Sequence, residues 1–171
     1  AGLGTPPTVI AASAEEQAFI ASVFSDLASL IPIQGVQDNN LTSPLQIVSV
    51  DRVRDDADSP LTTGITYTFF NYLISSSGTK RILPRPESYV TIELELNNDS
   101  GLSDSDKSTI VHEIGHALGL EHPGGNPNDP AYNDLDTIMS YNVGGSRPSP
   151  RFSAADRQAL VEMWGSASSG V

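Results

Sequence analysis

The 171-residue sequence predicts an α+β protein, in which a twisted sheet with two long helices is followed by a loop-rich part with one helix. Three observations predict this class. Apolar residues recur at helical spacing near the N-terminus, residues 89–96 alternate between apolar and polar, and residues 123–137 are rich in Pro, Gly, Asn and Asp. We place a boundary at His122 and expect two subdomains, 1–122 and 123–171, that form one domain.

The first helix is predicted over about 14–30. Ser13 and Glu16 have the spacing of a capping box, and Pro32 ends the helical pattern. The apolar residues at helical spacing are Phe19, Ile20, Val23, Phe24, Leu27 and Leu30. Residues 1–12 are interrupted by Pro and Gly, and we expect them to be extended, without an obvious strand.

Three strands are predicted after this helix. Residues 45–50 and 65–70 are rich in β-branched and aromatic side chains. Residues 89–96 alternate strictly, which is typical of a strand with one buried face and one solvated face. Residues 75–86 are expected to form a loop.

Two further helices begin at capping boxes. Ser103 with Asp106 predicts a helix that runs to about Leu118, and Gly119 is placed to end it in a left-handed turn. A third box at 153–156 begins the last helix.

Composition excludes several classes of function. The chain has 9 Lys and Arg against 21 Asp and Glu, a net charge of −12. A surface this acidic repels nucleic acid and anionic lipid, and we expect neither as a partner. For the same reason, basic or neutral polypeptides should approach faster than acidic ones. There is no cysteine, which excludes disulfides, thiol catalysis and Cys-based zinc sites. Without an initiator Met or a signal peptide, the chain is interpreted as a mature or trimmed form.

All three histidines lie in one segment, HEIGHALGLEH. His112 and His116 are four apart on the predicted helix, so their imidazoles project from one face. Gly119 lets the chain turn so that His122 can return as a third ligand. Three neutral imidazoles leave a fourth position for water, which is the arrangement of a catalytic zinc site. Glu113 can then take a proton from that water and pass it to a leaving amine.

The motif HExxHxxGxxH resembles the signature of the metzincin zinc endopeptidases. The family carries a methionine in a tight turn beneath the metal, and Met139 in TIMSYN matches it. Tyr141 matches a tyrosine that in serralysins and astacins ligates zinc at rest and moves to stabilise the transition state. Together with FSAADRQALVEMWG, the segment looks most like the serralysin catalytic domain, and Pro123 stands where astacins usually have Glu. The resemblance covers roughly 88–165 and lacks the calcium-binding β-roll of glycine-rich repeats.

The resemblance implies a metzincin-like fold, with a mainly parallel sheet and an antiparallel edge strand. It implies a secreted, monomeric zinc endopeptidase that acts on polypeptides and is controlled by a proteinaceous inhibitor or a prodomain. In the family, the strand before the zinc helix edges the cleft and pairs with substrate. The corresponding residues of this chain are Tyr89, Thr91 and Glu93.

Two alternatives stay open at this point. The chain can be a catalytically blocked zinc-binding recognition module, although Glu113 argues against it because recognition needs no general base. It can also be a non-proteolytic hydrolase that uses the same zinc-bound water. Calcium is a second candidate cofactor, because one loop carries several side-chain oxygens that could bind it. The same residue types also form turns without a metal. These residues are Asn126, Asn128, Asp129, Asp134 and Asp136.

Overall fold

The structure is a computed structural model, and it describes residues 7–37, 43–51, 53, 63–69, 72–74, 76, 80–82, 89–96, 101–145 and 150–167. The strands are β1 (Val9–Ile10), β2 (Leu45–Val50), β3 (Gly64–Phe69), β4 (Tyr72–Ile74), β5 (Lys80–Ile82) and β6 (Tyr89–Leu94). The helices are α1 (Ala14–Ala28), α2 (Asp104–Ala117) and α3 (Ala154–Trp164), with a 3₁₀ turn at Pro123–Gly125. The α+β class is confirmed in this part of the chain.

All three helices begin at the predicted capping boxes. At each start the serine side chain accepts a hydrogen bond from the backbone of the acidic residue three positions later, and that carboxylate accepts from the serine backbone. The end of α2 is also as predicted, since Gly119 follows it with a φ of 97°. Only a residue without Cβ adopts this conformation at no steric cost.

The main sheet of the described residues has the order β1-β2-β6-β3. The β2 and β6 strands pair in parallel, whereas β1 with β2 and β3 with β6 pair antiparallel. The sheet is therefore mixed, and the expectation of a mainly parallel sheet is wrong for these strands. Strand direction was not readable from the sequence, because side chains alternate with the same period in both directions.

The position of β6 corrects a second expectation. This strand lies inside the sheet, hydrogen-bonded to β2 on one side and to β3 on the other along its length. Its backbone is used by the sheet, so Tyr89, Thr91 and Glu93 do not form a free edge at which a substrate strand can add. In the part of the chain that the structure describes, β3 is the antiparallel strand at that end of the sheet.

Two smaller strand assignments also differ from the expectations. Residues 80–82, expected in a loop, form β5 and pair antiparallel with β4. Within the N-terminal segment, which was expected to be extended, Val9–Ile10 forms the short strand β1 against β2. The remainder of loop 75–86, apart from residue 76, and residues 1–6 lie outside the described residues.

The core lies between the sheet and the helices. The apolar face of β6 contributes Ile92 and Leu94, and α2 contributes Ile110 and Ile114, all with no exposed surface. This packing fixes α2, which carries the motif, against β3 and β6. No helix among the described residues has both the length and the apolar character needed to cross a membrane.

Candidate metal centre

The last turns of α2 and the chain after it bring the three histidines together. His112 and His116 lie on consecutive turns of α2. The backbone N–H of Leu120 then donates to the Gly115 carbonyl at 2.9 Å, which closes the turn at Gly119. This turn sends the chain back across the end of the helix, so that His122 faces the other two rings.

The three Nε2 atoms converge on one point. The His122 Nε2 lies 3.2 Å from that of His116 and 3.3 Å from that of His112. Three nitrogens bound tetrahedrally to zinc at its usual bond length are about 3.3 Å apart. Among the described residues, these histidines form the one group of His, Cys, Asp or Glu side chains placed to hold a metal ion.

Hydrogen bonds on the far side of two rings fix where their protons lie. His112 Nδ1 is 2.8 Å from the Ile138 carbonyl, and His116 Nδ1 is 2.8 Å from the Leu120 carbonyl. A carbonyl oxygen only accepts, so both Nδ1 atoms carry hydrogen. In the neutral form of each ring, the Nε2 atom then carries a free lone pair and no hydrogen. At most one proton, on His122, can lie between the three nitrogens. A cation at the centre would satisfy all three lone pairs, so the residues fit a bound zinc ion.

The electrostatics of the site favour the uncharged form of two of the rings, His112 and His122. Burial lowers the pKa of His112 from 6.5 to about 4, against the opposing effect of its bond to the Ile138 carbonyl. Burial also lowers the pKa of His122. Neutral imidazole is the form that binds metal, so these two rings would not have to lose a proton at neutral pH to bind an ion.

Glu113 is buried beside the ligands and is held by a residue that the sequence analysis missed. The Thr66 hydroxyl, on β3, lies 2.6 Å from Glu113 Oε2 and 3.0 Å from the Glu113 carbonyl. Burial raises the pKa of Glu113, while the Thr66 bond and the charge of His116 lower it. No pattern in the sequence indicates that Thr66 contacts the motif, because this hydrogen bond joins a strand to a helix that lies far along the chain.

Gly64, at the start of β3, is a second residue that the sequence analysis missed. A Cβ there would lie 2.6 Å from Thr109 Cγ2 and 2.8 Å from Glu113 Cγ. Such distances are shorter than van der Waals contact, so glycine is what allows β3 and α2 to approach closely. This close approach puts the Thr66 hydroxyl within reach of the Glu113 carboxylate.

Met139 lies directly beneath the helix turn that carries the ligands. It is 1 % exposed, and its Sδ would be only 2.8 Å from a Cβ added to Gly115. Gly115 is an unfavourable residue inside a helix, and this close packing gives the physical reason for it. Met139 therefore packs against α2 at the residue just before His116, and its role as a floor beneath a metal stays a prediction.

Tyr141 lies at the open side of the site. It is 58 % exposed, and its ring centroid is 5.4 Å from that of His112 and 5.3 Å from that of His122. Burial raises the pKa of its hydroxyl, and Glu113 raises it further. Its backbone N–H donates to the Pro127 carbonyl at 2.8 Å, which anchors this part of the chain to the preceding loop.

A cavity of about 830 Å³ opens onto His112 and Glu113. Its walls come from the start of β3, the solvent-facing side of α2, residues within 128–145, and Pro150. Lining residues include Gly64, Thr109, His112, Glu113 and Tyr141. The β6 residues Tyr89, Thr91 and Glu93 do not line it, in agreement with their place inside the sheet.

Side chains of the loop proposed for calcium accept backbone hydrogen bonds. Asn126 Oδ1 accepts from the backbone of Asn128 and Asp129 Oδ1 from that of Ala131, which is typical of Asx turns that form without a metal. Asp134 Oδ1 accepts from the backbone of Gly144, ten residues further along the chain. Calcium remains a prediction of the sequence.

Comparison with known proteins finds serralysins from Photorhabdus. The chain is 37 % identical over 79 residues to the serralysin of Photorhabdus sp. (strain Az29), a match that covers 42 % of this chain and 15 % of that protein. It is 36 % identical over 66 residues to the serralysin of Photorhabdus luminescens, covering 34 % and 14 %. No protein-family profile matches the chain. The similarity to serralysins is thus partial, and the matched segment spans a small part of each relative's length.

Proposed function

We propose that the protein is a zinc-dependent endopeptidase of metzincin type. The observation that carries this proposal is the convergence of three imidazole lone pairs, at the spacing of zinc ligands, beside a buried carboxylate. The partial similarity to serralysins and the resemblance of HEIGHALGLEH and Met139 to the metzincin signature support the same assignment.

Zinc, held by His112, His116 and His122, would supply an acidified water and polarise the scissile carbonyl. Glu113 would act as general base and then as general acid, taking a proton on its carboxylate and giving it to the amine that leaves. Its raised pKa suits this work, because a carboxylate with a pKa nearer neutrality both accepts and returns a proton readily.

Two further side chains would assist these steps. Thr66 donates to Glu113 Oε2 and so fixes the orientation of the carboxylate. The Tyr141 hydroxyl would donate a hydrogen bond to the negative charge that develops on the carbonyl oxygen; in support, the side chain is partly exposed and its ring centroid lies 5.4 Å from that of His112. Its raised pKa keeps the proton needed for donation.

The substrate in this proposal is an extended polypeptide. The cavity of about 830 Å³ has Thr63 and Gly64, at the start of β3, in its wall. Backbone pairing with a substrate would take place at the edge of β3 and not at that of β6. Secretion, action as a monomer, and control by a prodomain or inhibitor belong to the same proposal and rest on the resemblance alone.

The test is cleavage of denatured casein by zinc-loaded protein, with and without phenanthroline. Glu113→Gln keeps the shape of the side chain and removes the base, so it should bind one zinc and cleave at least about 10²-fold more slowly. Glu162→Gln, an exposed position on α3, is the matched control and should cleave normally.

Each outcome of this test has a distinct meaning. Cleavage by Glu113→Gln at the parental rate would show that Glu113 is not the base. A parental protein that holds one zinc and cleaves nothing would instead favour the catalytically blocked recognition module.

A further inference from the structure

We infer that Asp156, at the start of α3, is a positioning residue of the metal centre: it holds the peptide group whose carbonyl orients His112. The inference rests on the proposed zinc site and adds a residue that lies outside the motif. It starts from the hydrogen bond between His112 Nδ1 and the Ile138 carbonyl, which aims the Nε2 atom of that ring at the metal position.

The Ile138 carbonyl is itself held from the other side of its peptide group. The same peptide group contains the N–H of Met139, which donates a hydrogen bond to Thr137 Oγ1 at 3.1 Å. Thr137 Oγ1 in turn donates to Asp156 Oδ1 at 2.5 Å. Because a peptide group is planar, fixing its N–H also fixes the direction of its C=O. Asp156 thus controls, through Thr137, the carbonyl that orients the ligand.

The second carboxylate oxygen holds the same segment at a neighbouring point. Asp156 Oδ2 accepts from the Ile138 N–H at 3.0 Å and from the Ser153 N–H at 2.8 Å. The carboxylate is 3 % exposed, so water does not compete for these bonds. Residues 137–139 are therefore clamped to the N-terminus of α3 by one buried side chain.

Helix capping does not by itself explain these contacts. Glu16 occupies the same position in the capping box of α1, and it too is fully buried. Its extra partner is the Ser49 hydroxyl on β2, 2.5 Å away, which joins α1 to the sheet and does not contact the histidines. Glu16 is thus a buried cap with an added tertiary bond but no connection to a ligand, which makes it a matched reference for Asp156.

The experiment measures metal affinity and ligand geometry, with no use of peptidase activity. Zinc affinity is determined by competition with a chromophoric chelator, and the visible absorption of the Co²⁺-loaded protein reports ligand geometry. Asp156→Asn should weaken zinc binding by about 10-fold, at the lower end of the range for residues that support a ligand, and shift the Co²⁺ bands. Glu16→Gln should lose stability to urea but keep the parental affinity and spectrum.

A second variant covers the case in which Asp156→Asn does not fold. Thr137→Val preserves the capping box and the side-chain shape but removes the hydroxyl between Asp156 and Met139, so it should weaken zinc binding in the same direction. Parental affinity and Co²⁺ spectra in both variants, or in Thr137→Val alone if the other is unfolded, would overturn the inference. Failure of the parental protein to bind zinc would overturn the metal centre itself, which is a different result.

Discussion

Acidification should destabilise the metal-free protein through His112. Burial lowers the pKa of this ring to about 4, whereas in the unfolded chain it is 6.5. Between these values the unfolded state binds a proton that the folded state does not, so stability is lost as the pH falls from 6.5 towards 4. At about 1.4 kcal/mol per pKa unit, the full shift corresponds to about 3 kcal/mol. Protonation of His122, whose pKa is also lowered, acts in the same direction.

The assay is urea unfolding in the presence of a chelator at a series of pH values between 7 and 4. The comparison variant is His112→Gln, which does not titrate and can still donate a hydrogen bond towards the Ile138 carbonyl. Carboxylates that titrate in the same range are common to both proteins and cancel in the difference. The parental protein should lose about 3 kcal/mol more than His112→Gln. Parallel stability curves for the two proteins across this range would refute the reasoning.

Two substitutions test the contacts around the motif. Thr66→Val removes the hydroxyl that holds Glu113, so kcat should fall about 10-fold at unchanged zinc content. The control is Thr68→Val, at an exposed position on the same strand. An unchanged kcat in Thr66→Val would show that the hydrogen bond does not orient the base. Gly115→Ala places a Cβ against Met139 Sδ and should cost about 1–3 kcal/mol of stability despite the better helix propensity of alanine. The cost should shrink when Met139 is Ala as well, and equal costs in both backgrounds would exclude the predicted clash.

Local chemistry explains which parts of the fold were readable from the sequence. The three helices begin where a serine and an acidic residue three positions later satisfy the first free N–H groups, which is decided within four residues. The three histidines were likewise found from their spacing, because α2 and the turn at Gly119 are themselves local structures. The three longer strands were readable for the same reason, since alternation or a high content of β-branched and aromatic residues is visible in a single segment.

Strand order and direction were decided only in the tertiary structure. The pattern of residues 89–96 is the same for an edge strand and an interior strand, so it did not show that β6 pairs on both sides. The free edge was consequently assigned to the wrong strand. Strand β5 was missed because three residues are too few to show a period.

The sequence by itself determined the starts of the three helices and the spacing that brings the three histidines and Glu113 together, because each depends on residues a few positions apart. Only the tertiary structure decided what supports them. Thr66 reaches Glu113 across 47 residues, and Asp156 reaches the Ile138 backbone across 18. Such contacts exist because packing brings β3 and α3 against residues 112–139. A hydroxyl or a carboxylate takes its role from the groups that packing places within about 3 Å of it.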